Sequence, residues 1–177
     1  MSEGCIAFLN GARIRVDEAA LPVSDVGFVL GEGVFETMTA LSGAILRRAR
    51  HLDRMTTGLE LCRIPAPGWD IVDRALTCFM EEIGAPRANV RFTVTRGPLK
   101  GNFGSAPIGQ TTTLVTVRPV PSPPETLVAA VIDWPRRNPF SLRARAKTLG
   151  YGDECLARAK ARDAGADIAL MLAPGGG

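Results

Sequence analysis

An amine nucleophile is scarce in this chain: lysine occurs only at Lys100, Lys147 and Lys160, against eighteen arginines. Lys147 follows the basic stretch Arg136, Arg137, Arg143 and Arg145. Neighbouring positive charge is one recognised way to free a lysine amine for Schiff-base chemistry. The residue also falls between an expected strand and an expected helix, where active-site groups commonly emerge. Taken alone, local chemistry favours the plainer reading of a solvated loop lysine.

Arg54 stands one turn beyond Arg50 and His51 on an expected helix. Two readings are open for it: a solvated helix face, or a phosphate clamp built on the planar guanidinium fork. Gly31-Glu32-Gly33 lacks the full GxGxxG spacing of a dinucleotide site and leads into a strand, so it reads as a tight turn. Asp153 and Glu154 near a helix start are explained by the helix dipole and receive no catalytic role.

What the chain lacks narrows the chemistry further. His51 is the only histidine, which leaves little for a His-dependent triad or a multi-His metal centre. Cys5, Cys62, Cys78 and Cys155 are scattered without CxxC spacing, so neither a zinc site nor a disulfide framework is expected, and no metal is assigned. The formal net charge is +3 and the pI about 8.9, but acidic and basic residues interleave, so no nucleic-acid partner is implied. No apolar run reaches the length of a membrane span and no leader pattern stands at the N-terminus, so a soluble, cytoplasmic protein is expected.

The elements that must position these residues follow from periodicity. Cys5 to Leu9 and Arg13 to Val16 read as strands joined by Asn10-Gly11, the dipeptide suited to a tight hairpin. Val34 to Ala40 reads as a strand after the glycine-bracketed turn. Leu52, Met55, Leu59 and Cys62 recur at helical spacing over 49–62, stopped by Pro65 and Pro67, and a second helix is expected over 69–83. Strands are expected over 90–95 and 111–117, separated by a glycine-rich loop of the kind that often carries function.

Four prolines between Pro119 and Pro124 mark a stiff connector. Beyond it, the apolar runs Leu127 to Ile132 and Ile168 to Leu172 suit buried strands, with a helix over 153–164 between them. The fold class is therefore α/β. A small N-terminal α/β domain covers 1–118, a proline-rich linker 119–125, and the start of a second, larger domain 126–177. Two strands and one helix are too little to bury both faces of a sheet, so that second domain is expected to be incomplete.

Asn10-Gly11, Asp25-Val26-Gly27-Phe28, Gly31-Glu32-Gly33-Val34-Phe35-Glu36-Thr37, His51-Leu52-Asp53-Arg54, Thr95-Arg96-Gly97 and Lys147-Thr148-Leu149 occur in that order, with a proline-rich connector before the last. No single landmark is specific. Together they resemble the class-IV aminotransferases, or fold-type IV pyridoxal-phosphate enzymes, which include branched-chain and D-amino-acid aminotransferases and aminodeoxychorismate lyase.

The resemblance implies two α/β domains with pyridoxal 5'-phosphate between them. It implies that Lys147 bonds the cofactor and moves a proton at the substrate α-carbon, that Arg54 binds the cofactor phosphate, and that Tyr151 lies near the ring hydroxyl. Phe35 and Lys100 are assigned to an amino-acid-like substrate, and a homodimer is implied. Phe35-Glu36-Thr37 and Arg137-Asn138-Pro139 look more like the lyase branch, releasing pyruvate, than like the branched-chain aminotransferases. The family continues beyond the strand ending near Leu172 into a glutamate at the pyridine nitrogen and groups that cradle the phosphate. A fragment with poor or absent activity is therefore expected, and a non-catalytic remnant serving as a dimerisation or binding module is the alternative.

Overall fold

The computed structural model describes residues 4–99 and 110–175. The chain divides into two compact units: one of 1–121 together with 146–149, the other of 122–145 and 150–177. The expected split was contiguous. In the structure, the four residues around Lys147 group with the first unit instead.

The first unit is built on a six-stranded sheet in the order β2-β1-β6-β5-β3-β4, and each neighbouring pair runs antiparallel. Its strands are β1 (Ile6–Leu9), β2 (Ala12–Ile14), β3 (Gly33–Leu41), β4 (Ala44–Ile45), β5 (Arg87–Thr95) and β6 (Thr112–Pro119). Asn10 and Gly11 make the first hairpin with φ of 50° and 82°, the positive values that a two-residue loop needs to match strand twist. Between the first hairpin and β3 lie a 3-10 turn at Val16–Glu18 and a short helix, α1 (Val26–Leu30), just before the glycine-bracketed turn at Gly31-Glu32-Gly33 and unread in the sequence. Asp25 caps it by accepting from the Gly27 backbone N–H, and Gly31 ends it at φ 68°. Phe28, Val29 and Leu30 are exposed, so α1 carried no amphipathic signature to read.

Two helices cover one face of the sheet: α2 (Arg48–Leu61) against β3, and α3 (Asp70–Glu82) against β6, β1 and β5. Strand alternation sorts the side chains. Val34, Met38 and Ala40 of β3 join Val90, Phe92 and Val94 of β5 and Val115 and Val117 of β6 beneath Met55, Leu59, Val72, Ala75 and Phe79. These residues are essentially removed from water, and each large one contributes about 1.5–3 kcal/mol by its burial. Odd-numbered residues of β3 and β5, among them Phe35, Thr93 and Arg91, project from the opposite face.

The second unit holds two parallel strands, β7 (Ala129–Ile132) and β8 (Ile168–Met171), joined through α4 (Gly152–Asp163). Ala130, Ile132, Ala169 and Met171 pack against Ala157 and Ala161 of α4. The expectation of buried strands needs correction here. Val131 is 64% exposed and Leu170 51%, because one helix covers one face and the continuous apolar runs supply apolar residues to both.

Candidate active site

A short antiparallel segment on the edge of β3 carries Lys147. The Phe35 N–H donates to the Lys147 carbonyl at 2.9 Å, the Leu149 N–H donates to the Gly33 carbonyl at 3.0 Å, and Val34 faces Thr148. Gly33 makes this approach possible: a Cβ there would stand 2.6 Å from Leu149 Cδ1 and 2.7 Å from the Val94 carbonyl oxygen. Pairing Val34 with Thr148 sends Ala146 to the helix side, where its Cβ lies 3.7 Å from the space above Gly58 of α2. Lys147 goes to the other side with Phe35.

On that side, the Lys147 Nζ lies 4.3 Å from the centroid of the Phe35 ring, and the Arg91 guanidinium carbon lies 3.8 Å from the same centroid. Phe35 itself is 4% exposed, and its ring face attracts cations through its quadrupole. An amine and a guanidinium thus share one aromatic platform. Arg91, which shares the Phe35 ring with Lys147, is a residue the sequence reading passed over. Its signal was available: an arginine in an outward position of the expected strand 90–95, otherwise made of Val, Phe and Thr.

The opposite face of β3 holds a second polar group. Glu36 is fully buried in the row of Val34, Met38 and Ala40. Arg54 donates to it from Nε at 2.5 Å and Nη2 at 2.7 Å, and the His51 Nδ1 lies 2.9 Å from its Oε2. Burial pushes the Glu36 carboxyl up, but the hydrogen bonds from Arg54 and His51 more than reverse this and hold it below the usual glutamate range. His51 and Arg54 stand three residues apart on α2, so both reach the same point of β3. Glu36 was also overlooked as a site residue; a carboxylate at an inward strand position, opposite a helix with basic residues at i and i+3, was the readable sign.

The remaining assignments fall elsewhere. Tyr151 belongs to the second unit, immediately before α4, with the Arg143 guanidinium 5.3 Å from its ring centroid. Arg143 pairs with Asp153 at 3.4 Å and with Glu154, which gives those two carboxylates a structural explanation. Lys100 lies outside the described residues. Among the described residues, no group of three His, Cys, Asp or Glu is placed to hold a metal ion, and no helix is long and apolar enough to cross a membrane.

Known proteins resemble this chain over almost its whole length. Residues 33–177 match the family model for amino-transferase class IV. A protein of Methanocaldococcus jannaschii named "Putative branched-chain-amino-acid aminotransferase" is 30% identical over 171 residues, covering 93% of this chain. The chain spans 58% of the length of that relative. Aminodeoxychorismate lyase of Vibrio harveyi is 28% identical over 98 residues, 55% of this chain and 34% of the lyase. Among solved structures, the PLP-bound form of a hypothetical aminotransferase from Mycobacterium tuberculosis superposes with a TM-score of 0.79 at 22% identity, covering 97% of this chain and 63% of that one.

Proposed function

The chain belongs to the amino-transferase class IV family, and on that premise we propose that it carries the lysine and the phosphate-binding arginine of a pyridoxal-phosphate enzyme that transaminates an amino acid, the reading favoured over the lyase lean of Phe35-Glu36-Thr37 by the aminotransferase name of the relative that matches 93% of the chain. The single observation that carries the proposal is Lys147, which is fixed by backbone pairing to β3 with its amine beside Phe35 and Arg91. The side-chain chemistry suits the cofactor: an anchored amine suits an aldehyde, and a guanidinium oriented by a buried carboxylate suits a phosphate. Tyr151 is assigned to the ring hydroxyl. When bound, pyridoxal phosphate supplies an electron sink that makes the substrate α-proton acidic.

Lys147 has two tasks. It would hold the cofactor covalently, and its amine, when not so engaged, would be the base that removes the proton at the substrate α-carbon. Arg91 receives a carboxylate of the amino-acid-like substrate, since its guanidinium lies over the same ring as the Lys147 amine. Phe35 is the apolar floor for both. A homodimer acting in the cytoplasm, with Lys100 assigned to the substrate by the resemblance, completes the proposal.

The similarity to aminodeoxychorismate lyase supports a second reading, elimination with release of pyruvate. Product analysis of the purified chain loaded with pyridoxal phosphate separates the two. Keto acid formed from an amino-acid donor, dependent on 2-oxoglutarate, is the expected result. Pyruvate and an aromatic amine from aminodeoxychorismate, with no keto-acid exchange, would establish the lyase instead. Neither product would overturn catalysis by this chain.

A further inference from the structure

Resting on the cofactor reading above, we propose that Glu36 is a positioning residue for phosphate recognition, which together with His51 locks the Arg54 guanidinium in one plane so that it meets the phosphate already oriented. Glu36 is the one carboxylate on the inward row of β3, between Val34 and Met38, and it is fully buried. A carboxylate in such a row is costly, and where stability alone is at stake an apolar residue of similar volume serves as well or better. Its use is therefore better sought in what it holds.

Arg54 is a long side chain, 56% exposed, that would otherwise sample many rotamers. Engagement of both Nε and Nη2 by the two oxygens of Glu36 fixes the plane as well as the position of the guanidinium, which a single contact would not do. An ionised carboxylate only accepts hydrogen bonds, which assigns the Nδ1 of His51 as a donor to Oε2. That second donor holds Glu36 in turn, and a guanidinium ordered in advance loses less freedom when an anion arrives. Glu36 thus acts on phosphate through Arg54.

The test compares the affinities of pyridoxal phosphate and pyridoxal, which lacks the phosphate, by absorbance titration of the full 177-residue chain. Glu36→Gln is expected to weaken pyridoxal phosphate on the order of 10-fold, the size of a lost contact to a charged group, while leaving pyridoxal unchanged. Arg54→Gln should show the same selectivity, and the double variant should bind no worse than Arg54→Gln. Equal weakening of both ligands in Glu36→Gln would mean a merely structural role and overturn the proposal. So would unchanged affinity in Glu36→Gln beside a weakened Arg54→Gln, leaving the cofactor reading intact. An Arg54→Gln variant with normal affinity would overturn both. Should Glu36→Gln fail to fold, His51→Gln gives the same discrimination: selective weakening supports the clamp, and unselective or absent weakening contradicts it.

Discussion

Two faces of one strand do different work. Outward from β3, Phe35 underlies Lys147 and Arg91, where an amine and a guanidinium share a ring with access to solvent. Inward, one residue later, Glu36 is sealed among Val34, Met38 and Ala40 and meets Arg54 and His51 from α2. The outward group is assembled by chain segments distant in sequence and held by backbone pairing. The inward group is held by charge. Strand alternation alone separates the two groups, and neighbouring residues in sequence become members of different clusters.

If this division is right, each face can be broken without breaking the other. The largest expected effect is on the outward face: Lys147→Ala should lower turnover by about 10²–10⁴-fold, the range of a lost general base, with folding stability changed by less than about 0.5 kcal/mol. Paired activity and urea-denaturation measurements check this, and a stability loss matching the activity loss would merge the two roles. Next comes Gly33→Ala, whose new Cβ would meet Leu149 and the Val94 carbonyl. It should cost about 1–3 kcal/mol by denaturation, the usual range of overpacking. The same change should weaken cofactor attachment, because Leu149 tethers the Lys147 segment.

Arg91→Met sharpens the comparison at smaller scale. It should raise KM for a carboxylate substrate by roughly 10-fold, as expected for one contact to a charged group, without altering the affinity of the cofactor phosphate. Equal losses in both would mean that the faces are not separate. The smallest effect belongs to acid. Because the Glu36 carboxyl is held below its ordinary value, its pairing stabilises the fold above the unfolded glutamate range near about 4.3 and is lost as pH falls through the lower native value. Stability curves of the chain and of Glu36→Gln should therefore converge on acidification, and curves that run parallel throughout would contradict the pairing.

Local periodicity made much of this fold legible. Leu52, Met55 and Leu59 marked α2 to within a residue or so, and Asn10-Gly11 marked its hairpin, because each signal is complete within a few residues. α1 escaped notice because a single turn with Phe28 exposed has no buried face to repeat. Local chemistry left Lys147 as a solvated loop lysine and only the family resemblance assigned it to the cofactor; its attachment to β3 depends on Gly33 more than a hundred residues earlier, and no local pattern encodes such a pairing. The bond between Glu36 and Arg54 lay half in view. The i and i+3 basic residues and the inward glutamate could each be read, but only the packing of α2 on β3 joins them.

The central claim is that Lys147, of three lysines, is the one that bonds the cofactor. Incubating the chain with pyridoxal phosphate, reducing with borohydride and mapping the modified peptide tests it directly. The account predicts a phosphopyridoxyl group on Lys147 and its absence in Lys147→Ala; the group on Lys100 or Lys160, or on no lysine at all, would contradict it.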